Sequence, residues 1–328
     1  MNRLLPTPDD IADADTRVRP LAVETPLIRH DALDEAAGAR VWVKAECLQT
    51  TGSFKIRGAM NALSRIDPDR YPGGVVTFSS GNHAQGVARA ARYFGLPALI
   101  VMPSDAPAVK CEGVRADGAE IRFYDRETES RETIASELAD VRGAKLVPSY
   151  DDRWIVAGQG TVGRELLRQG QAHGLSFDHV LCCTGGGGLI TGTSLAFDTA
   201  ENRPQFWTVE PEGHDDWARS LAAGEIVANR PGTRSNCDAI LTPQPGEIPF
   251  ALARARLAGG LSVSDVEVRR AMRFAFRHLK LVAEPGGAVA LACALRGLPE
   301  TMRGQDVAIL LSGGNVDEKL FADTLGLN

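Results

Sequence analysis

From about residue 73 the chain alternates short apolar runs with amphipathic stretches. Runs at 74–78, 97–101, 120–123 and 145–147 have the length and composition of strands, and the segments 84–94, 109–117 and 129–141 between them carry helix signals. This rhythm predicts a parallel sheet flanked by helices. A second series follows: a helix over 156–169, a strand at 179–183, a helix after Gly188, strands at 206–209 and 306–311, and a terminal helix. No repeat or low-complexity tract interrupts it. The stretch 230–249 mixes prolines and glycines with polar residues and predicts a long ordered loop crossing the surface.

The 328 residues suffice for two domains at roughly 150 residues each. The net charge of −6 is spread over mixed acidic and basic residues, so there is no basic stripe and nucleic-acid binding is not expected. The start of the chain holds Asp9, Asp10, Asp13 and Asp15 instead of a positive patch and an apolar core. No apolar run reaches the roughly 18 residues of a membrane span. A cytoplasmic protein without a membrane partner is therefore expected. The six cysteines lack metal-ligand spacing and read as small buried hydrophobes. Cys182 and Cys183, neighbours on a strand, should point to opposite faces.

Three segments carry candidate chemistry. Lys55 lies in Thr51-Gly52-Ser53-Phe54-Lys55-Ile56-Arg57-Gly58-Ala59, between an aromatic ring and glycines, where an ordinary surface charge is poorly placed. It reads as a Schiff-base lysine. Gly185, Gly186, Gly187 and Gly188 join a strand to a helix and leave backbone amides free to converge on a monophosphate. The plainer reading is a tight turn, and without a following Gly-Lys-Ser/Thr a nucleotide loop is disfavoured. Ser79, Ser80, Gly81, Asn82 and His83 open a helix after a strand and offer main-chain donors to a substrate carboxylate, with Asn82 able to reach a phenolic oxygen. Simple N-capping by Ser80 or Asn82 is the alternative, and His83 reads as a packed or capping histidine rather than a base.

Together with Ser312-Gly313-Gly314-Asn315, these segments describe a pyridoxal phosphate site. Because Lys55 precedes the 71–150 block while the glycine quartet and Ser312 follow it, a shared site requires a discontinuous large domain, 1–70 plus 151–328, and a small domain, 71–150. Ligands in such open sheets bind beyond the carboxyl ends of strands.

The chain resembles the fold-type II pyridoxal-phosphate enzymes, in the serine/threonine dehydratase and serine racemase branch. The motifs run from Thr25-Pro26-Leu27 and Lys44-Ala45-Glu46 through Ala157-Gly158-Gln159-Gly160-Thr161, Val209-Glu210-Pro211-Glu212-Gly213 and Glu284-Pro285-Gly286-Gly287-Ala288 to Ser312. The resemblance implies a tryptophan synthase beta-like α/β fold with two parallel-rich twisted sheets flanked by helices. It also implies that Lys55 carries the cofactor, Phe54 flanks its ring, Asn82 contacts its phenolic oxygen, Gly185 to Gly188 with Leu189 cradle its phosphate, and Ser312 meets its pyridine nitrogen. A neutral hydroxyl there makes the ring a weaker electron sink and favours elimination.

The same resemblance implies dehydration of a β-hydroxy amino acid to a 2-oxo acid and ammonia, with serine, threonine, hydroxyaspartate or an aryl serine as substrates. Racemisation is the second reading, because Ser80 stands where the resembling racemases place an acid/base on the ring face opposite Lys55. Glu210, the carbonyl of His214 and Asp216 match a structural divalent-cation site, suited to Mg2+ or Ca2+. Relatives are commonly dimers, so a homodimer is expected. Tyr150 stands at the hinge before Asp151-Asp152 and is bulkier than expected, placing it at the border of the substrate pocket. A silent phosphate-ligand sensor and a β-replacement synthase are the remaining alternatives; Lys55 argues against the first, and the segments at 284–287 and 312–315 against the second.

Overall fold

The computed structural model describes residues 5–79, 81–106, 108–230 and 232–326. Ten strands follow in chain order: β1 (Leu27–Arg29), β2 (Arg40–Lys44), β3 (Val75–Phe78), β4 (Ala98–Pro103), β5 (Glu120–Tyr124), β6 (Lys145–Leu146), β7 (His179–Cys183), β8 (Gln205–Pro211), β9 (Leu257–Val263) and β10 (Asp306–Leu310). They form two sheets. The larger has the order β1-β2-β10-β7-β8-β9 and is parallel except for the β1 to β2 pair; the smaller, β5-β4-β3-β6, is parallel throughout. The fold is α/β, with helices flanking both sheets, as the alternating pattern predicts.

The pairing of β2 with β10, Val43 opposite Ile309, brings the early chain back beside its end after the 75–146 excursion. Strands β4 and β7 are buried along their whole length, which accounts for their unbroken apolar character. Cys182 and Cys183 fall into different apolar clusters, consistent with opposite faces of β7. The helix Lys55–Leu63 packs Ile56, Met60 and Leu63 with Val87, Ala88 and Ile100 in a cluster that spans it and the smaller sheet.

The helix expected over 156–169 is two: Arg153–Gln159, capped by Asp152 through Trp154 N and Ile155 N, and Thr161–Ala172. The periodicity runs on across Gly160, so the break has no local apolar signal. Close packing at the junction requires a glycine, since a Cβ at Gly160 would stand 2.8 Å from Gly192 O. The neighbouring Gly158 lies so close to the Arg57 carbonyl that a Cβ would overlap it. These contacts seat one short helix between the helix that begins with Lys55 and the helix Gly188–Ala196 that follows the glycine quartet.

A buried ion network locks that arrangement. Arg57, fully buried, donates to both oxygens of Glu46 at 2.8 Å and to Glu165 at 2.7 and 2.8 Å, while Lys44 Nζ lies 2.6 Å from Glu165 Oε2. Two cations against two carboxylates balance inside the core. The net effect joins the end of β2, the turn after it, the Lys55 helix and the helix Thr161–Ala172.

The described residues of the 230–249 stretch are irregular apart from the turn Asp238–Ile240 and the start of the helix Glu247–Ala253. It does more than cross the surface, because Asp238, Leu241 and Thr242 line a cavity that Lys55 also lines. Among the described residues no helix is long and apolar enough to cross a membrane.

Candidate active site

Lys55 is the first residue of its helix. The approach to it is pinned by an antiparallel bridge between Ser53 and Gly313 and by Phe54 N donating to Ser312 O at 3.2 Å. Lys55 and Ser312, distant in sequence, are thereby neighbours at the ends of paired segments. Lys55 Nζ donates to Ser149 O at 2.9 Å and lies 5.2 Å from the Phe54 ring centroid. The cavity leaves part of this side chain accessible, yet the surrounding protein strips enough water to pull the amine down to about 8, with Glu284 acting in the opposite sense.

Phe54, Lys55, Asn82, Gly185, Gly186, Gly187, Gly188, Leu189 and Ser312 line one cavity of about 70 Å³. All the residues expected to hold the cofactor therefore meet at one place. Gly187 caps the helix Gly188–Ala196 at φ 92°, a left-handed conformation that favours glycine. The amides of the helix's first turn have no intrahelical acceptor and face an anion readily. A Cβ at Gly186 would collide with the Tyr150 ring, and one at Gly187 with Trp217. Ser312, buried at the end of β10, accepts a hydrogen bond from Cys183 Sγ at 2.9 Å, which leaves its own proton free.

A wider cavity of about 380 Å³ adjoins the first and shares Lys55, Asn82, Ser149 and Tyr150 with it. Ser79, Gly81, Asn82 and His83 line it, whereas Ser80 lies outside the described residues. Tyr150 borders both spaces, as its place at the hinge suggests. His83 Nε2 lies 3.2 Å from Val147 O, and burial, reinforced by the nearby Lys55 charge, pushes the ring down to about 3. It is neutral at ordinary pH.

Four charged residues of this region escaped the sequence reading as site residues. Lys110 and Arg131 line the wider cavity together with Asp238. Lys110 is buried, and a Cβ on Gly81 would be 3.3 Å from its Nζ. Arg131 lies over the Phe78 ring at 5.4 Å and pairs with Glu132 at 2.8 Å. Glu284 is buried at the start of the helix Pro285–Arg296, accepts from Asn82 Nδ2, and is pushed up to about 7 by burial. Charged residues on helices read as solvated faces until the fold turns them inward. Only the placement of Glu284 inside a quoted motif hinted at a role.

Glu210, at the end of β8, accepts from Trp217 N and Ala218 N at 3.0 Å each, at the start of the helix Asp216–Ala223. Burial first, and then the Asp216 carboxyl, push Glu210 up to about 9. Burial also raises Asp216 to about 6; its Oδ1 accepts from Asn229 at 2.5 Å, while Oδ2 is buried without a partner. Among the described residues no group of three or more His, Cys, Asp and Glu side chains is arranged to hold a metal. The expected set, which takes only a carbonyl from His214, comes down to this carboxyl pair.

An α/β fold with a lysine, a tetraglycine helix start and a buried serine around one cavity defines a phosphate-aldehyde enzyme. Residues 18–313 match the family described as pyridoxal-phosphate dependent enzyme. The chain is 44% identical over 317 residues to an L-threo-3-hydroxyaspartate ammonia-lyase from Pseudomonas, covering 96% of this chain and 97% of that one. It is 36% identical over 325 residues to a serine racemase from Schizosaccharomyces pombe, covering 99% and 98%. The solved structure of maize serine racemase superposes with a TM-score of 0.90 at 34% identity, covering 99% of this chain and 98% of that one. The chain belongs to the pyridoxal-phosphate-dependent enzyme family, in its fold-type II class, and its cofactor is pyridoxal phosphate.

Proposed function

We propose that this enzyme dehydrates a 3-hydroxyaspartate and that the product takes water back up as it releases ammonia, so that the net products are a 2-oxo acid and ammonia. The observation that carries the reading is Lys110, a buried ammonium on the wall of the Lys55 cavity. The side chain of serine or threonine brings no charge to that cation, whereas a β-carboxylate can replace Asp238 as its partner. Arg131, on the same cavity, would share the distal carboxylate. The Pseudomonas relative, an L-threo-3-hydroxyaspartate ammonia-lyase, supports the same substrate class.

The residues fit the cofactor. The glycine cradle has no room for a Cβ at Gly186 or Gly187, the amine is shifted toward neutrality, and the Ser312 proton is uncommitted. Lys55 would hold it covalently, Gly185 to Gly188 and Leu189 its phosphate, Phe54 its ring face, Asn82 its phenolic oxygen and Ser312 its nitrogen. When bound, it supplies an electron sink for charge developing at the substrate α-carbon. The 79–83 segment orients the α-carboxylate. Once the substrate amine takes its place on the cofactor, the freed Lys55 amine would remove the α proton, and the neutral His83 adds no competing positive charge beside it.

Glu210, Asp216 and the His214 carbonyl would hold Mg2+ or Ca2+ as a structural ion, supported by the Asp216 Oδ2 without a hydrogen-bond partner and by the mutual repulsion of two buried carboxyls, which a cation would relieve. A large domain of 1–70 plus 151–328, a small one of 71–150, a homodimer and a cytoplasmic location complete the reading.

Racemisation is the second reading, favoured by the serine racemase relative. Ammonia and 2-oxo acid release should be measured from the stereoisomers of 3-hydroxyaspartate, serine, threonine and phenylserine. Turnover of a hydroxyaspartate isomer well above serine supports the proposal, and the reverse order overturns it. Ser80→Ala should suppress appearance of the opposite enantiomer more than ammonia release if Ser80 serves the second ring face; equal loss contradicts that role.

A further inference from the structure

We propose that Glu284 is a positioning residue that sets the orientation of the Asn82 amide toward the cofactor, a role that rests on the cofactor cradle described above. Glu284 occupies the N-cap of the helix Pro285–Arg296, yet its side chain makes no capping hydrogen bond. It turns to Asn82 instead, Oε1 accepting from Asn82 Nδ2. Asn82 Oδ1 accepts in turn from Asn315 Nδ2 at 2.8 Å, and the same Asn315 nitrogen donates to Thr51 O at 2.8 Å.

An ionised carboxylate only accepts and the Asn315 nitrogen only donates, so this pair of partners excludes the flipped Asn82 amide. One Asn82 N–H is then left to be directed, on a side chain that lines the cavity with Lys55 and Ser312. Glu284 is 1% exposed and its Oε2 has no partner, an expensive arrangement for a residue that only fills space. Lys110 and Lys55 face it as attracting charges and Asp238 as a repelling one. Ionised or protonated, Glu284 keeps an oxygen that accepts from Asn82.

The test is the pH titration of the visible absorption band of the holoenzyme. Asn82→Ala, Glu284→Met and Glu284→Gln are compared with wild type, together with the Asn82→Ala/Glu284→Met double variant. Methionine fills the space without an acceptor, whereas glutamine keeps the acceptor without the charge. Glu284→Met should move the midpoint by about half a pH unit or more, in the direction of Asn82→Ala, and add little in the Asn82→Ala background. Glu284→Gln loses the same charge beside Lys55 but keeps the acceptor, so its midpoint should move clearly less than that of Glu284→Met. A glutamine variant displaced as far as the methionine variant, or a methionine shift undiminished in the double variant, overturns the positioning role. Absence of any visible band that Lys55→Ala removes sinks the cofactor reading itself.

Discussion

Lys110 Nζ stands 3.0 Å from Asp238 Oδ2, and the two charges come from the connections of different sheets. Lys110 lies in the helix Ala108–Ala116 between β4 and β5, and Asp238 in the loop between β8 and β9. The lysine side chain is 6% exposed and the aspartate 53%, so the lysine is fixed while its partner is replaceable. A substrate carboxylate entering the cavity competes with Asp238 for a cation already in place.

Lys110→Met should therefore lower kcat/KM for 3-hydroxyaspartate by about tenfold to a hundredfold, the worth of a charge-assisted hydrogen bond. Activity on serine, if present, should change little. Steady-state kinetics on both substrates check this, and parallel losses contradict it.

Recombination of the apoenzyme with pyridoxal phosphate needs a neutral Lys55 amine. Burial lowers that amine to about 8, so its neutral fraction grows as pH rises through that value. The rate of appearance of the visible band should climb between about pH 7 and 9 and then level, instead of rising toward the ordinary lysine value of about 10.4. Stopped-flow absorbance across pH measures it.

Arg57→Met strands Glu46 and Glu165 in the core without their main counter-charge. Loss of about 3–5 kcal/mol of stability is expected. Denaturant unfolding of the variant, beside the surface control Lys319→Met, reads the difference directly.

The carboxyl pair of Glu210 and Asp216 should respond to divalent ions. Adding Mg2+ or Ca2+ to metal-stripped protein should raise Tm, and Asp216→Asn should abolish the increase. An unchanged Tm in wild type removes the ion from the account.

Much of this was legible in sequence because the signals are local. The strands and helices of 74–147 follow contiguous apolar runs, and β7 and β10 lie where such runs predict them. By contrast β9 is absent from the sequence reading, because Gly259 and Gly260 interrupt its apolar run; glycine is needed there because Trp207 and Ala218 pack where side chains would stand. The glycine quartet, Lys55 and Ser312 were visible as motifs, since backbone access and an isolated lysine leave a mark on a short window. Lys110, Arg131 and Asp238 were not, because their meaning arises only when two sheets bring their connections to one cavity.

Borohydride reduction of the holoenzyme followed by peptide mass spectrometry tests the central claim most directly. The account predicts one phosphopyridoxyl group, on the peptide bearing Lys55, with its loss and that of the visible band in Lys55→Ala. Label on another lysine, or a band that survives Lys55→Ala, would contradict it.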